Sequence, residues 1–83
     1  MLHVLKAEYV DGLQLRLQFS DGASGIVDLT GKLDGPVFRL LNDPRLFREF
    51  AIIGHTVAWT NGADFAPEYL HSLLVKPRVG QRV

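Results

Sequence analysis

The chain contains no cysteine, which excludes disulfides, thiolate metal sites and cysteine nucleophiles together. It has no long apolar run either; its hydrophobic stretches last a few residues, too short for a membrane-crossing helix. Net charge is also missing. Nine basic side chains face nine acidic ones, whereas a dedicated nucleic-acid binder carries a basic excess. The opening MLHVLKAEYV lacks the basic flank and apolar stretch of an export signal, so a cytoplasmic address is the default expectation. What is present is 83 residues, 47% hydrophobic and 22% charged, the proportions of an ordinary globular domain rather than a disordered chain. That length supports one core, with little left over to enclose a deep pocket.

The first third alternates in the manner of strands. Leu13, Leu15, Leu17 and Phe19 fall on one side, with Gln14, Arg16 and Gln18 on the other, as in a strand with one wet face. The preceding run from Leu2 to Val10 is less clean, with His3, Leu5, Ala7 and Tyr9 sharing one face and Lys6 and Glu8 marking the opposite one. Asp11-Gly12 separates the two runs, and Asp21-Gly22 turns the chain again into Ala23 to Leu29. Glycine supplies the positive φ that tight hairpin turns demand, so a three-stranded antiparallel meander is expected.

The period then changes. Asp34-Gly35-Pro36 opens a short helix bearing Val37, Phe38, Leu40 and Leu41. Asn42-Asp43-Pro44 stops it and starts another, in which Leu46, Phe47 and Phe50 recur at helical spacing. Arg39, Arg45 and Arg48 read as a solvated face, since Asp43 and Glu49 interrupt any cationic patch. Ala51 to Ile53, a Gly54-His55 turn and Thr56 to Thr60 predict a second, short hairpin with Val57 and Trp59 on one face. Asn61-Gly62-Ala63-Asp64 releases the chain into a last helix, opened by Pro67, favoured by Glu68 and striped with Tyr69, Leu70, Leu73 and Leu74. The whole is an α+β domain over residues 1–75, an antiparallel sheet of about five strands (meander plus short hairpin) packed with two or three short helices. Residues 76–83, with Lys76, Arg78 and Arg82 and no acid, form a basic tail expected to be flexible and solvated.

Four strings, LQLRLQFSDG, IVDL, FRLLNDPRLFREF and VAWTNGADFAPEYL, in this order and spacing, resemble a family of small bacterial proteins grouped as domain of unknown function 2442. The most specific pieces are Phe19 to Gly22, Asp28 and the string from Trp59 to Leu70. The resemblance implies an α+β domain with an antiparallel sheet and short helices, found alone or ahead of a helix-turn-helix, with no established chemistry. It also implies occasional two-gene arrangements resembling toxin and antitoxin pairs, which points to a protein partner. One departure is Ala66, where the family commonly places a hydroxyl residue before Pro67. Alanine cannot cap a helix, leaving Asp64 or water to satisfy the first helical amides.

The one local constellation that suggests a binding site is Trp59, Asn61 and Asp64 with His55, because an indole edge, a polar turn and a helix start can together hold a small anion or base. Each also has a folding role, Trp59 in the core and Asn61 and Asp64 in the turn. No catalytic residues are assigned. Ser20, Ser24 and Ser72 lack a nucleophile-elbow pattern. The two Asp-Gly turns lack the further acids of a calcium loop. His3, His55 and His71 are scattered, so no metal is expected, and the eight glycines match neither a dinucleotide fingerprint nor a phosphate loop, so no cofactor is expected. The expected role is therefore non-enzymatic: a protein-binding or regulatory module, one half of a toxin/antitoxin-like pair, receiving another protein or a second copy of itself at an open sheet edge. Edge positions are expected at the first strand or at the short hairpin near Trp59. A small-ligand or anion site at the Trp59 to Asp64 turn is the alternative, and weak nucleic-acid contact through the basic tail a further one.

Overall fold

The computed structural model describes residues 1–74. Strands β1 (Val4–Asp11), β2 (Gln14–Phe19) and β3 (Ser24–Asp28) form the expected antiparallel meander in that order. Gly12 and Gly22 take φ values of 53° and 91° in the two turns. At the second turn the Asp21 carboxylate accepts the Ala23 amide at 2.9 Å, closing the loop over itself. On β2 the alternation holds fully: Leu15, Leu17 and Phe19 are at most 1% exposed, while Arg16 and Gln18 face solvent.

β1 departs from simple alternation. Val4 pairs with Phe19 and Lys6 with Gln18, so Leu5 is an extra residue bulged out of the ladder. Val4 is consequently 2% exposed and Leu5 52% exposed, which corrects the expectation that Leu5 shares the inner face with Ala7 and Tyr9.

The expected continuous sheet of five strands is divided in two. β4 (Phe50–Ile53) and β5 (Thr56–Trp59) form a separate antiparallel pair. β1 commits its ladder to β2, and it is linked to the hairpin by one backbone hydrogen bond, from the Val4 amide to the His55 carbonyl at 2.9 Å. The chain returning after Trp59 lies along β5, with Ala58 bridged to Asp64 and the Trp59 amide donating to Ala63 at 2.9 Å. β5 is thus flanked on both sides and all four of its residues are buried, whereas Ala51, Ile52 and Ile53 of β4 are exposed.

Among the described residues there are also three short α-helices, α1 (Gly35–Arg39), α2 (Pro44–Phe47) and α3 (Pro67–Ser72), with a 3-10 turn over Leu40–Asn42 joining the first two. Asp43 caps α2 by accepting the Arg45 amide at 3.0 Å. α2 ends at Phe47, and Phe50 lies in β4 rather than on the helix, because pairing of residues 50–53 with 56–59 overrides the helical spacing. α3 starts at Pro67 as expected, but its N-cap Ala66 offers no side chain and Asp64 does not supply one, being drawn into the bridge with Ala58. Leu70 on α3 and Leu74 just beyond its end are buried while Tyr69 is 39% exposed, so the inner stripe is narrower than the apolar residues suggest.

The core gathers Leu15, Leu17, Phe19, Val27, Leu29, Phe47, Val57 and Leu70 from every layer. Gly25 occupies an inner position of β3 opposite Leu17, and the space above it is taken by Leu74, whose Cδ2 would lie 3.4 Å from an added Cβ. That contact, together with His71 Nε2 at 2.9 Å from Asp21 Oδ2 and its ring edge-on to Phe19, seats the end of α3 on the meander.

Candidate functional site

Trp59 closes β5 with its ring 4% exposed and its indole N–H donated to the Phe47 carbonyl at 2.8 Å. A buried indole needs such a partner, and this one locks the end of α2 against β5. Phe47 and Phe65 flank the ring at centroid distances of 5.7 and 6.0 Å. Asn61 holds the following turn: its carbonyl oxygen accepts the Ala63 amide at 3.1 Å, and its amide donates to the Val37 carbonyl at 2.9 Å, tying the turn to α1.

Between these anchors a cleft of about 180 Å³ opens, walled by Leu40, Leu41, Leu46 and Trp59 and rimmed by Glu49, Thr60 and Asn61. Leu41 is buried at its base, while Leu40 and Leu46 are 60% and 42% exposed at its mouth. Nearby Val37, whose carbonyl receives Asn61, is 44% exposed. The result is an apolar concavity with an apolar lip.

Of the four residues singled out in the sequence, the structure brings Trp59 and Asn61 together at this cleft. Asp64 is exposed, its backbone bridging Ala58, and it lines neither this cleft nor the second hollow. His55 lies at the other end of β5, in the turn from β4, at φ 73°. There its ring stacks on His3 at 4.0 Å between centroids, with 11° between the planes. His55 and Asp64 therefore do not converge. Leu40, Leu41, Leu46 and Glu49 escape a search for polar clusters. A signal exists nonetheless, since neighbouring Leu40 and Leu41 cannot both face inward from a single short turn.

The second hollow, of about 350 Å³, is a shallow dish on the wet face of the meander, bounded by Lys6, Glu8, Arg16, Gln18 and Ser24. Arg16 and Glu8 pair there at 3.7 Å with both side chains largely exposed, and Lys6 leaves the dish with one positive charge in excess. Among the described residues no three His, Asp or Glu side chains gather as a metal site would require, and no helix is long and apolar enough to cross a membrane. Three carboxylates are held below their ordinary value by local hydrogen bonds. Asp21 is stabilised first by the Ala23 amide and then by His71, Asp28 by Thr30, and Asp43 by the side chain and amide of Arg45. All three lie at turns or a helix cap, and none of them lines the cleft. Lys76, Arg78 and Arg82 lie outside the described residues.

No curated protein and no solved structure matches the chain. The family described as protein of unknown function (DUF2442) matches residues 4–73, a span running from the first residue of β1 past the last of α3, and the chain belongs to that family.

Proposed function

We propose that this protein is a non-enzymatic binding module that receives an apolar side chain of a partner protein in the cleft beside Trp59. The observation that carries the reading is the character of that cleft: four apolar walls, and a lip on which Leu40 stands 60% exposed to water. A folded chain leaves scattered leucines outside at little cost, but clustered ones around a concavity are the mark of an interaction surface. Volume selects the class of occupant. About 180 Å³ is well below the roughly 300–1,000 Å³ of small-molecule sites, yet it accommodates one anchoring side chain of the kind that dominates protein interfaces. The alternative anion site at the Trp59 to Asp64 turn draws no support from this geometry, since Asp64 and His55 stand apart from the cleft. The two-gene arrangements implied by the family resemblance make a neighbouring gene product the first partner to try, in a toxin/antitoxin-like pair.

The test is capture of a co-expressed neighbouring protein by the tagged chain, with Leu40→Asp and Ile52→Lys in parallel. Leu40→Asp places a carboxylate at the mouth of an apolar pocket and is expected to weaken capture by about tenfold or more, at little cost in folding stability. Capture undiminished by Leu40→Asp, or abolished by Ile52→Lys alone, moves the binding surface to the sheet edge and overturns the reading.

A further inference from the structure

We infer that the outer edge of β4 pairs with the same edge of a second copy of this chain, in a weak two-fold dimer whose hairpins join as β5-β4-β4-β5. Sheet edges are templates for further strands, and folded chains guard them with charge, proline, bulges or covering elements. The other edges here are guarded. β1 carries Lys6, Glu8 and Asp11 and two register shifts, and β3 ends in Asp28 and has Leu74 seated against Gly25. β4 carries no charge, proline or bulge, and β1, which packs near it, forms no ladder with it. Its sequence Phe50-Ala51-Ile52-Ile53 is free of charge and proline, and its register with β5 is unbroken over four consecutive pairs. Ile52 and Ile53 are 40% and 58% exposed, and β4 has β5 as its only strand partner among the described residues.

The strand itself argues for a second copy. Antiparallel pairing of β4 with its twin about a two-fold axis centred on Ile52 sets Ile52 across from Ile52 and Ala51 across from Ile53, with each opposed pair on one face of the sheet and no like charges opposed. Such self-matching is what an isologous two-fold contact requires. The balance of nine basic and nine acidic residues adds no long-range repulsion between copies. Four residues of edge cannot supply the roughly 800 Å² per partner of a stable complex, so the dimer is weak and governed by concentration. This surface is separate from the Trp59 cleft and stands or falls without it.

Sedimentation of the whole chain between about 10 µM and 1 mM reads the association directly, since each 1.4 kcal/mol of binding energy moves the midpoint tenfold. The expected result is an average mass rising from 9.3 kDa toward twice that value. Ile52→Lys is expected to shift the rise about tenfold or more to higher concentration while leaving the circular dichroism native. Hydrogen exchange of the unmodified chain supplies an arm free of any variant: amides of residues 50–53 gain protection as concentration rises. A mass that stays at one copy throughout, association unchanged in a natively folded Ile52→Lys chain, or protection gained only outside β4 each overturns the proposal.

Discussion

Two neighbouring polar residues of the turn after β5 illustrate how differently side chains three positions apart are used. Asn61 bonds at both ends, to Val37 and to Ala63, whereas the Asp64 side chain makes no hydrogen bond within the described residues. Removing a satisfied amide strands its partners, at about 1–3 kcal/mol, while an exposed carboxylate without partners is worth within about 0.5 kcal/mol. Asn61→Ala is therefore expected to lower the urea midpoint clearly and Asp64→Ala to leave it almost unmoved. Equal losses from both would show that Asp64 has a structural task the geometry does not account for. The types of these residues were legible as turn formers. Their separation into a wall residue of a cleft and a bystander was not, because that depends on α1 arriving 24 positions away in sequence to meet Asn61.

At the scale of elements, β1 is the instructive case. Alternation read from Leu2 to Val10 predicts Leu5 inside, and a single bulged residue between Val4 and Lys6 moves it to solvent. Because side chains alternate with period two, one extra residue exchanges the faces on one side of it. Leu5→Lys is accordingly expected to be tolerated, while Val4→Ala costs about 1.5–3 kcal/mol from two lost buried carbon groups and the space they leave. Thermal melts of the two variants decide between the bulged and the strictly alternating strand. β2 needed no such correction, since Leu15, Leu17 and Phe19 fall inside as read. Helical spacing of Leu46, Phe47 and Phe50 predicts a second helix that reaches Phe50, but four residues of helix yield little against the pairing that begins there.

For the molecule as a whole, the dependence of stability on pH follows from three carboxylates. Asp21, Asp28 and Asp43 are each held below their ordinary value of 3.8 in the folded chain and return to it on unfolding. Their contribution is fully present above the unfolded value and is lost as pH falls through the lower folded values. The melting temperature is thus expected to be level with respect to these groups between about pH 7 and 5 and to fall below about pH 4. Asp28→Asn, which removes the charge that Thr30 stabilises, lowers the neutral plateau and makes the acid limb shallower. An acid limb of unchanged steepness in that variant would remove Asp28 from the account.

The sequence by itself determined the hairpins, the turn glycines, the proline-led helix starts and the α+β class, because each is set by residues within a few positions of one another and by φ preferences that need no distant partner. Only the tertiary structure decided that the strands divide into two sheets, that β1 bulges, that Leu40 stands outside and that Trp59 and Asn61 share a cleft from which Asp64 and His55 are absent. These outcomes turn on which segments compete for the same ladder and the same core volume, a contest between parts of the chain far apart in sequence that no local pattern encodes.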